Sequence, residues 1–430
     1  MKLNNIAPMI GLFLGMSSVS LAGDGHVASI YGLSGADLGT AGSYSLFNDG
    51  PSASYYSPSS LALSGGHSLG LHVINGYPSL GLESENDASY LSREGDELAT
   101  DDNQFLILGI KLGLNDALGL DRRLSLGMVM AVDDLGRSML NLEDRDTSEG
   151  ELLRYGQKPL FMSAGVGYEV LPGFTVGFGT LIGVSSQSPV KVMTETDGET
   201  SEENILVKGK TKAAEILSVG YTGEAFALGI AYRGESYYDM NLEADAFTRV
   251  TPDGPIPMRM KLIDGYTPNH VVVNAKIRPH QAYSFGVAVE VWQWSELTEK
   301  LRTKSSAKSD VEVEFIDTMI PRLGLTLHEA IARTDIMLGY AFEPTPLKNE
   351  GNSNLIDLDR HMLGLGAKTI LQEKNGKPLA LTVAYQWQHL PSRKMDMKPR
   401  GLGFAEQGDS ESVEVSGDVH SVSFGVELAL

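Results

Sequence analysis

Residues 283–292 read YSFGVAVEVW, and apolar side chains recur at every second position of this stretch. The apolar row consists of Tyr283, Phe285, Val287, Val289 and Val291. The residues between them are small or polar, namely Ser284, Gly286, Ala288 and Glu290. Because successive side chains of a β-strand point to opposite faces, this alternation predicts a strand with one apolar face and one small or polar face.

The same alternation returns along the chain, at residues 106–114, 124–132, 174–184, 334–342, 379–387 and 422–430. Short connections are predicted at 115–123, 171–173, 222–225, 279–282, 328–332 and 371–378. Long, acidic connections are predicted at 83–103, 133–159, 186–212, 235–269, 295–317, 343–358 and 389–418. Short and long connections alternate strictly, which is typical of outer-membrane barrels and is not expected of soluble sandwiches. We therefore predict an all-β, antiparallel transmembrane β-barrel of about fourteen strands.

Composition is consistent with an exported protein. The chain has 430 residues, a formal charge of −21 and no Cys, so a nucleic-acid partner and a disulfide framework are not expected. Lys2, the apolar core at residues 6–16 and the small residues Ser20 and Ala22 on either side of Leu21 predict a cleaved signal peptide at 1–22. No later apolar run reaches the roughly twenty residues of a spanning helix, but the alternating strands of a membrane barrel do not need one.

Residues 38–63 read LGTAGSYSLFNDGPSASYYSPSSLAL and are rich in turn-forming residues. Such a density of Gly, Pro, Ser and Asn predicts a chain that folds back on itself. Apolar and aromatic residues still recur through the stretch, which favours a compact segment that plugs the barrel. An ordinary N-terminal loop is the alternative. The predicted domains are therefore a signal peptide at 1–22, a hatch at 23–64 and the barrel at 65–430.

This stretch resembles the N-terminal hatch of the FadL-type long-chain fatty acid transporters of bacterial outer membranes. The matching residues are Gly39, Ala41, Gly42, Asp49, Ser52, Tyr56, Ser57, Pro58 and Leu61. The sequence Ser57-Pro58-Ser59 stands where the family has an Asn-Pro-Ala-like turn, so the role of that Asn does not transfer. Three further stretches resemble family strands in the same order: LGIAYRGESYY at 228–238, VEVWQWSELTEKL at 289–301 and IMLGYAFEPTP at 336–346.

The resemblance implies passive uptake of hydrophobic molecules, such as long-chain fatty acids or hydrocarbons, through an apolar lumenal pocket in the outer membrane. It also implies that hatch movement opens a route, including one sideways into the membrane. The hatch and gating residues expected on this basis are Asp49, Pro51, Ser52, Tyr56, Ser57 and Pro58. Outer-membrane lipid and lipopolysaccharide are the expected surroundings of a monomer, and neither a cofactor nor a metal is predicted.

Three residues are candidates for substrate binding. Trp292 and Trp294 share the phase of Ala288 and Glu290, which places both indoles in the lumen if the Val row faces lipid. Two lumenal indoles would suit an acyl chain, and an interfacial aromatic girdle is the alternative. Arg233 lies in a lumenal row, where it could meet a carboxylate head group. Pairing with a lumenal Asp or Glu is the preferred alternative for this Arg.

No catalytic arrangement emerges from the sequence. None of the nine His residues has a Ser two positions later, the spacing that places both on one face of a strand. Residues 364–369, GLGAKT, lack the full spacing of a phosphate-binding loop. An enzyme is therefore not predicted. The alternatives to a transporter are an accessory or structural outer-membrane barrel without transport activity, and a soluble secreted β-protein.

Overall fold

The structure is a computed structural model. It describes residues 32–84, 97–98, 103–133, 161–183, 188–196, 199–246, 256–304, 314–348, 357–372, 377–397 and 411–430. The predicted signal peptide and residues 23–31 of the predicted hatch lie outside the described residues. Within these ranges, no helix has both the length and the apolar character needed to cross a membrane.

Fourteen strands form one closed antiparallel barrel, which confirms the predicted fold class. Each strand pairs with its neighbours in sequence, and the last strand returns to pair with the first, from Ser68 opposite Ala429 to Ser84 opposite Val413. The strands are β1 Ser68–Ser84, β2 Asn103–Gly113, β3 Leu124–Asp133, β4 Phe161–Leu171, β5 Phe174–Gly183, β6 Ala214–Thr222, β7 Phe226–Arg233, β8 His270–His280, β9 Tyr283–Trp292, β10 Thr318–Ile331, β11 Thr334–Glu343, β12 Arg360–Gln372, β13 Pro378–Met397 and β14 Glu411–Ala429.

Side chains alternate between the lumen and the outer face of the wall. In β9, Ser284, Ala288 and Glu290 are buried, whereas Phe285 and Val287 are 46% and 44% exposed. Comparable exposed apolar rows run along the other strands of the wall. Closure pairs the polar backbone groups of every strand, so that only apolar side chains need to face the hydrocarbon of a membrane.

The connections follow the predicted alternation. At one end of the barrel the strands are joined by tight turns, such as the one at Gly173, whose φ of +79° is left-handed and suits a residue without a Cβ. Two short helices, α1, Gly35–Gly39, and α2, Ala53–Tyr56, lie in the N-terminal segment. A third, α3, Asn115–Leu118, lies in the turn between β2 and β3. The long connections all lie at the opposite end, which is called the long-loop end below.

Three long connections contain more structure than the sequence predicts. Past the long-loop rim, the chain forms a separate four-stranded antiparallel sheet from Ser188–Thr196, Glu199–Lys212, Ser236–Ala246 and Ile256–Thr267. The apolar rows of these strands are short, such as Val190 and Val192 or Met258, Met260 and Leu262, and they stand among the charged residues of stretches predicted to be long, acidic connections. The connection after β9 begins with a ten-residue helix, α4, Ser295–Lys304, which was expected only as loop.

Candidate functional site: the lumen and the N-terminal segment

Residues 32–64, hereafter the N-terminal segment, are built from short helices separated by reversals. Helix α1 begins at a cap in which the Ser34 Oγ accepts from the Asp37 N–H at 3.3 Å and donates to the Asp37 carboxylate at 2.8 Å. The chain then reverses at Ala41 and Gly42, whose φ values of +47° and +75° are left-handed. The 3-10 helix Ser45–Phe47, helix α2 and the 3-10 helix Pro58–Ala62 follow.

Glycines of the inward rows allow this segment to fit against the wall. A Cβ added to Gly109 of β2, Gly177 of β5, Gly339 of β11 or Gly364 of β12 would lie closer than 3.0 Å to atoms of the segment. Real Cβ atoms essentially never approach so closely. Because these strands lie on different sides of the barrel, the N-terminal segment occupies the lumen. Wall glycines therefore have a steric function here, which is to admit another backbone.

Four cationic wall side chains among the described residues bind backbone carbonyls of the N-terminal segment. Lys111 donates to the carbonyls of residues 49 and 64 at 2.9 Å each, and Arg322 donates to that of residue 41 at 2.9 Å. Arg123 donates to the carbonyl of residue 63, and Arg233 to that of residue 55. Hydrogen bonds from charged donors are stronger than neutral ones, so these four contacts hold the segment at points around the barrel.

The residues predicted to form the hatch all lie in this segment. Pro51 and Pro58 are buried, and each packs on an inward glycine of the wall. Ser52 is buried and accepts from the Asn48 side-chain amide at 2.8 Å. Asp49 exposes its carboxylate to a lumenal cavity while its backbone carbonyl binds Lys111.

Tyr56 and Ser57 connect the parts of the segment. The Tyr56 hydroxyl accepts from the Leu33 N–H at 2.9 Å and so joins α2 to the residues before α1. The Ser57 hydroxyl is buried and lies 3.0 Å from that of Ser59. Ser57 precedes the 3-10 helix that Pro58 opens, so the departure from the family's Asn is accommodated by local hydroxyl contacts. Gating by these residues stays a prediction.

An apolar sector lines the long-loop half of the lumen on one side. It consists of buried residues of β1–β6 and β13 that pack against two leucines of the N-terminal segment. Tyr55, Tyr56 and Phe105 pack against its edge. Its members are Leu33, Leu38, Ile74, Ile107, Val129, Ala131, Phe161, Leu181, Ala214, Ile216 and Ala384.

The sequence contains a signal for this sector that a search for strict alternation does not detect. Residues 105–108, FLIL, and 128–132, MVMAV, are apolar at successive positions rather than at alternate ones. A strand of this kind is apolar on both faces, so its inward face must also be buried away from water. Ile107 and Val129 are the inward members of these runs, and both are buried.

The opposite sector of the long-loop half is charged. Glu290 of β9 binds Arg322 of β10, with the Arg322 Nε 2.9 Å from Oε1. Glu343 of β11 binds Arg360 of β12 at 3.0 Å. All four side chains are buried, so each pair is stabilised by the attraction of its partners at low local polarity. The lumen thus combines an apolar sector on β1–β6 with an ion-paired sector on β9–β12.

A buried acid lies at the long-loop rim beside this charged sector. Asp357 precedes β12 and accepts from the Thr345 hydroxyl at 2.8 Å, while its backbone carbonyl accepts from Arg393 at 3.0 Å. Burial raises the pKa of the Asp357 carboxyl to about 6, and the charge of Arg360 opposes this shift. The rim therefore contains a carboxyl group that titrates near neutral pH.

The two candidate tryptophans occupy different environments. Trp292 is the last residue of β9, is half-buried, and stacks on His270 with ring centroids 4.1 Å apart and planes at 4°. Its indole N–H donates to Glu290 Oε2 at 3.1 Å, which fits the predicted lumenal phase. Trp294 follows the end of the strand, is only 2% exposed, and packs against Tyr266 and Phe315 under the outer connections. Substrate contact is thus a prediction that fits Trp292 better than Trp294.

Arg233 is buried at the long-loop end of β7 and contacts Tyr55 in two ways. Its guanidinium donates to the Tyr55 carbonyl and lies 3.7 Å from the centroid of the Tyr55 ring. Within the described ranges no ion pair joins it to an acidic residue, which differs from the preferred sequence interpretation. The backbone carbonyl that it binds has no signature in the sequence. Binding of a substrate carboxylate by Arg233 stays a prediction.

Two concave regions flank the wall and the segment. A polar cavity of about 170 Å³ lies on the short-turn side of the N-terminal segment, with Lys276, Asp335, Lys368 and Glu427 in its lining. A shallow apolar groove of about 760 Å³ crosses the wall at β9–β13 and includes outward residues such as Leu365. The groove opens on the membrane-facing surface, so it is not the predicted lumenal pocket.

Comparisons with known proteins agree with this architecture. No protein-family model matches the chain. The chain is 25% identical over 435 residues to Alkane uptake protein A of Marinobacter nauticus. The aligned region covers 96% of this chain and 93% of that protein. A solved Pseudomonas aeruginosa FadL homologue matches with a TM-score of 0.66 at 13% identity, over 94% of this chain and 99% of that chain. The P. putida toluene transporter TodX matches with a TM-score of 0.55 at 10% identity, over 94% and 99% of the two chains.

Proposed function

We propose that this chain, a FadL-type β-barrel whose predicted resemblance to the hydrocarbon transporters is confirmed, carries hydrophobic compounds passively across the bacterial outer membrane. Long-chain fatty acids and alkanes are the proposed substrates. The name of the Marinobacter relative supports the alkanes, and the sequence resemblance supports both. Residues 1–22 are proposed to be removed on export, and the mature chain is proposed to act as a monomer among outer-membrane lipid and lipopolysaccharide.

The apolar sector is the observation that carries this proposal. A water-filled pore gives a hydrocarbon no advantage, whereas burial in an apolar lining stabilises it by about 25 cal/mol for each Å² removed from water. The lining of β1–β6 rests directly on Leu33, Leu38 and Tyr55 of the N-terminal segment. An apolar solute that enters from the long-loop end would therefore displace side chains of the segment itself.

The segment is proposed to act as a hatch. In outer-membrane barrels the short turns face the periplasm, so the polar cavity would lie on the periplasmic side of the segment. Its charged lining is costly for a hydrocarbon to enter, because the charges would lose water contacts without gaining partners. This supports an exit through the wall into the membrane after the segment moves.

The proposal is tested by uptake of labelled hexadecane and labelled palmitate in cells that lack the gene and carry a plasmid copy. The informative variants are Ile107→Thr and Ile107→Val, because Thr and Val have nearly the same shape and differ by a buried hydroxyl. Burying that hydroxyl without a partner costs about 1–3 kcal/mol. We expect Ile107→Thr to lower uptake severalfold relative to Ile107→Val, at equal amounts of folded barrel.

Equal uptake by the Thr and Val variants would remove the apolar sector from the substrate path. No uptake by the parent chain with either substrate would favour the accessory barrel instead. Entry of a labelled hydrophilic solute alone would indicate a general porin. Heat-dependent migration on gels serves as the folding control, since intact membrane barrels resist unfolding in detergent.

A further inference from the structure

A buried ion pair joins the aromatic residues of the long-loop end to the N-terminal segment. Trp292 donates its indole N–H to Glu290 Oε2 at 3.1 Å. The same carboxylate accepts hydrogen bonds from Arg322 Nε at 2.9 Å and from Arg322 Nη2 at 3.3 Å. The remaining terminal nitrogen of Arg322, Nη1, donates to the Ala41 carbonyl at 2.9 Å. A continuous series of hydrogen bonds thus runs from an indole ring to the backbone of the segment.

The point of attachment is a strained reversal. Ala41 has a φ of +47°, a left-handed conformation that is strained for a residue with a Cβ. Gly42 follows with a φ of +75°, and a Cβ at that position would lie 3.3 Å from Arg322 Nη1. These two residues separate α1 from the rest of the segment. A bond that holds the Ala41 carbonyl therefore helps to hold residues 32–40 in place.

Trp292 is half-buried at the long-loop end of β9. Its indole stacks on His270 with ring centroids 4.1 Å apart and is nearly parallel to that of Trp294 at 6.0 Å. A flat apolar solute that enters this stack would turn the indole and withdraw its N–H from Glu290. Oε2 would then be free to approach Arg322 Nη2, which is the longer contact of the pair. Closing that contact would rotate the guanidinium and draw Nη1 away from the Ala41 carbonyl.

The charges themselves argue for more than a structural function. A buried ion pair contributes little net stability, because removing both charges from water costs about as much as their attraction returns. Such pairs are better suited to holding one of two alternative arrangements. Arg123, Lys111 and Arg233 also bind the segment, but in the described contacts none of them is linked to the aromatic stack.

We propose that Glu290 and Arg322 are positioning residues that couple the occupancy of the Trp292 stack to release of the Ala41–Gly42 reversal. The coupling rests on the proposed transport function, for which it supplies the step between arrival of a flat, aromatic or otherwise apolar solute and movement of the segment. It makes Trp292 a sensor of the solute rather than only part of a pocket lining.

The chain has no Cys, so a single reporter thiol can be introduced at Ala36, which lies in α1 and lines the polar cavity. The rate of labelling by a small charged thiol reagent is measured on the purified full chain in phosphatidylethanolamine–phosphatidylglycerol vesicles. We expect Trp292→Phe, which keeps an aromatic ring but removes the indole N–H, to raise the rate about tenfold, as a change of 1.4 kcal/mol in the opening equilibrium would. Arg322→Lys is expected to raise it similarly.

The decisive comparison is the double variant. If Trp292 acts through Arg322, adding Trp292→Phe to Arg322→Lys raises the rate no further, whereas independent effects multiply and overturn the proposal. Trp387→Phe is the matched control, because Trp387 also donates its indole N–H to a carboxylate, that of Asp418 at 2.8 Å, but on the outward face. Its labelling rate is expected to equal that of the parent. An increase in this control would overturn the assignment to the lumenal stack.

Naphthalene is the solute probe. We expect it to raise the labelling rate severalfold in the parent and not in Trp292→Phe, and no response in the parent would overturn the sensing step. Because labelling is measured without uptake, its outcome is separate from that of the transport assay. Normal uptake with no coupling leaves the proposed function intact, and coupling without uptake leaves the positioning residues intact and removes their transport function.

Discussion

Replacing Gly177 with Ala tests whether the N-terminal segment and the wall fit as the structure describes. Gly177 lies in β5 with Gly167 and Ser218 opposite it on the neighbouring strands, so its backbone is fixed by hydrogen bonds on both sides. An added Cβ would lie 2.6 Å from the Cα of Ser59 and closer still to the Ser59 nitrogen. Ordinary contact begins at 3.4 Å, so the 3-10 helix Pro58–Ala62 must move by at least about 0.8 Å.

The expected cost has two parts. Overpacking of a well-packed site costs typically 1–3 kcal/mol. Movement of residue 59 also breaks the bond from its N–H to the Ser218 hydroxyl, which is 2.8 Å long and contributes about 1 kcal/mol. We therefore expect the segment to open more readily by about 2–4 kcal/mol. The lower limit corresponds to about a 30-fold change in the opening equilibrium.

Amide hydrogen exchange followed by mass spectrometry measures this opening. Peptides that contain residues 53–62 of Gly177→Ala are expected to exchange about 30-fold faster or more, while the strands of the wall keep the parental rate. Gly81→Ala is the matched control, because a Cβ at Gly81 meets nothing within 4 Å. Parental exchange of residues 53–62 in Gly177→Ala would refute the close fit of segment and wall.

Three further predictions follow from buried polar groups. The pKa of Asp357 is raised in the folded state, so ionising its buried carboxyl group destabilises the long-loop rim. This loss of stability is absent below the unfolded pKa near 3.8, grows as the pH rises and is complete above about 6. A pKa shift of this size corresponds to at most about 3 kcal/mol of stability. Above pH 7, hydrogen exchange of the rim should therefore be slower in Asp357→Asn than in the parent. Equal exchange rates would contradict the destabilising effect of the ionised carboxyl group. Arg360→Met removes the charge that binds the buried Glu343 carboxylate and should lower the stability of the barrel in urea by about 3–5 kcal/mol. An unfolding midpoint equal to that of the parent would show that the pair is not buried in solution. Tyr44→Phe loses the hydroxyl that donates to the Ser284 carbonyl at 2.7 Å and should raise exchange of residues 43–47 about fivefold, with no change expected at the rim.

The sequence was sufficient to predict the wall because each strand repeats one simple pattern. Apolar rows such as that of β9 predict which side chains face outward. The strict alternation of short and long connections predicts the number of strands and the closure of the barrel. Turn residues such as Pro51 and Pro58 distinguished residues 38–63 from the wall, since a chain so rich in turns cannot continue as a wall strand. The outward orientation of Trp387 also follows from its phase with Tyr385.

What the sequence did not predict depends on contacts between distant parts of the chain. Arg322 and Arg233 bind backbone carbonyls of the segment, and a carbonyl is present at every residue, so no pattern identifies the one that is used. Trp294 lies beyond the last residue of β9, and strand alternation therefore does not predict the orientation of its side chain. The apolar sector was missed because its members are single residues spread over many strands, although Ile107 stands out as an apolar residue in an inward row.

Uptake of labelled hexadecane and palmitate by cells that lack the gene, with and without a plasmid copy, decides whether the barrel carries hydrophobic compounds. A hydrophilic solute of similar length is followed in parallel. We expect the gene to restore entry of at least one hydrophobic compound, Ile107→Val to retain that entry, and the hydrophilic solute to be unaffected. Restored entry of the hydrophilic solute alone, with both hydrophobic compounds unchanged, would show that the barrel is not a pathway for hydrophobic compounds.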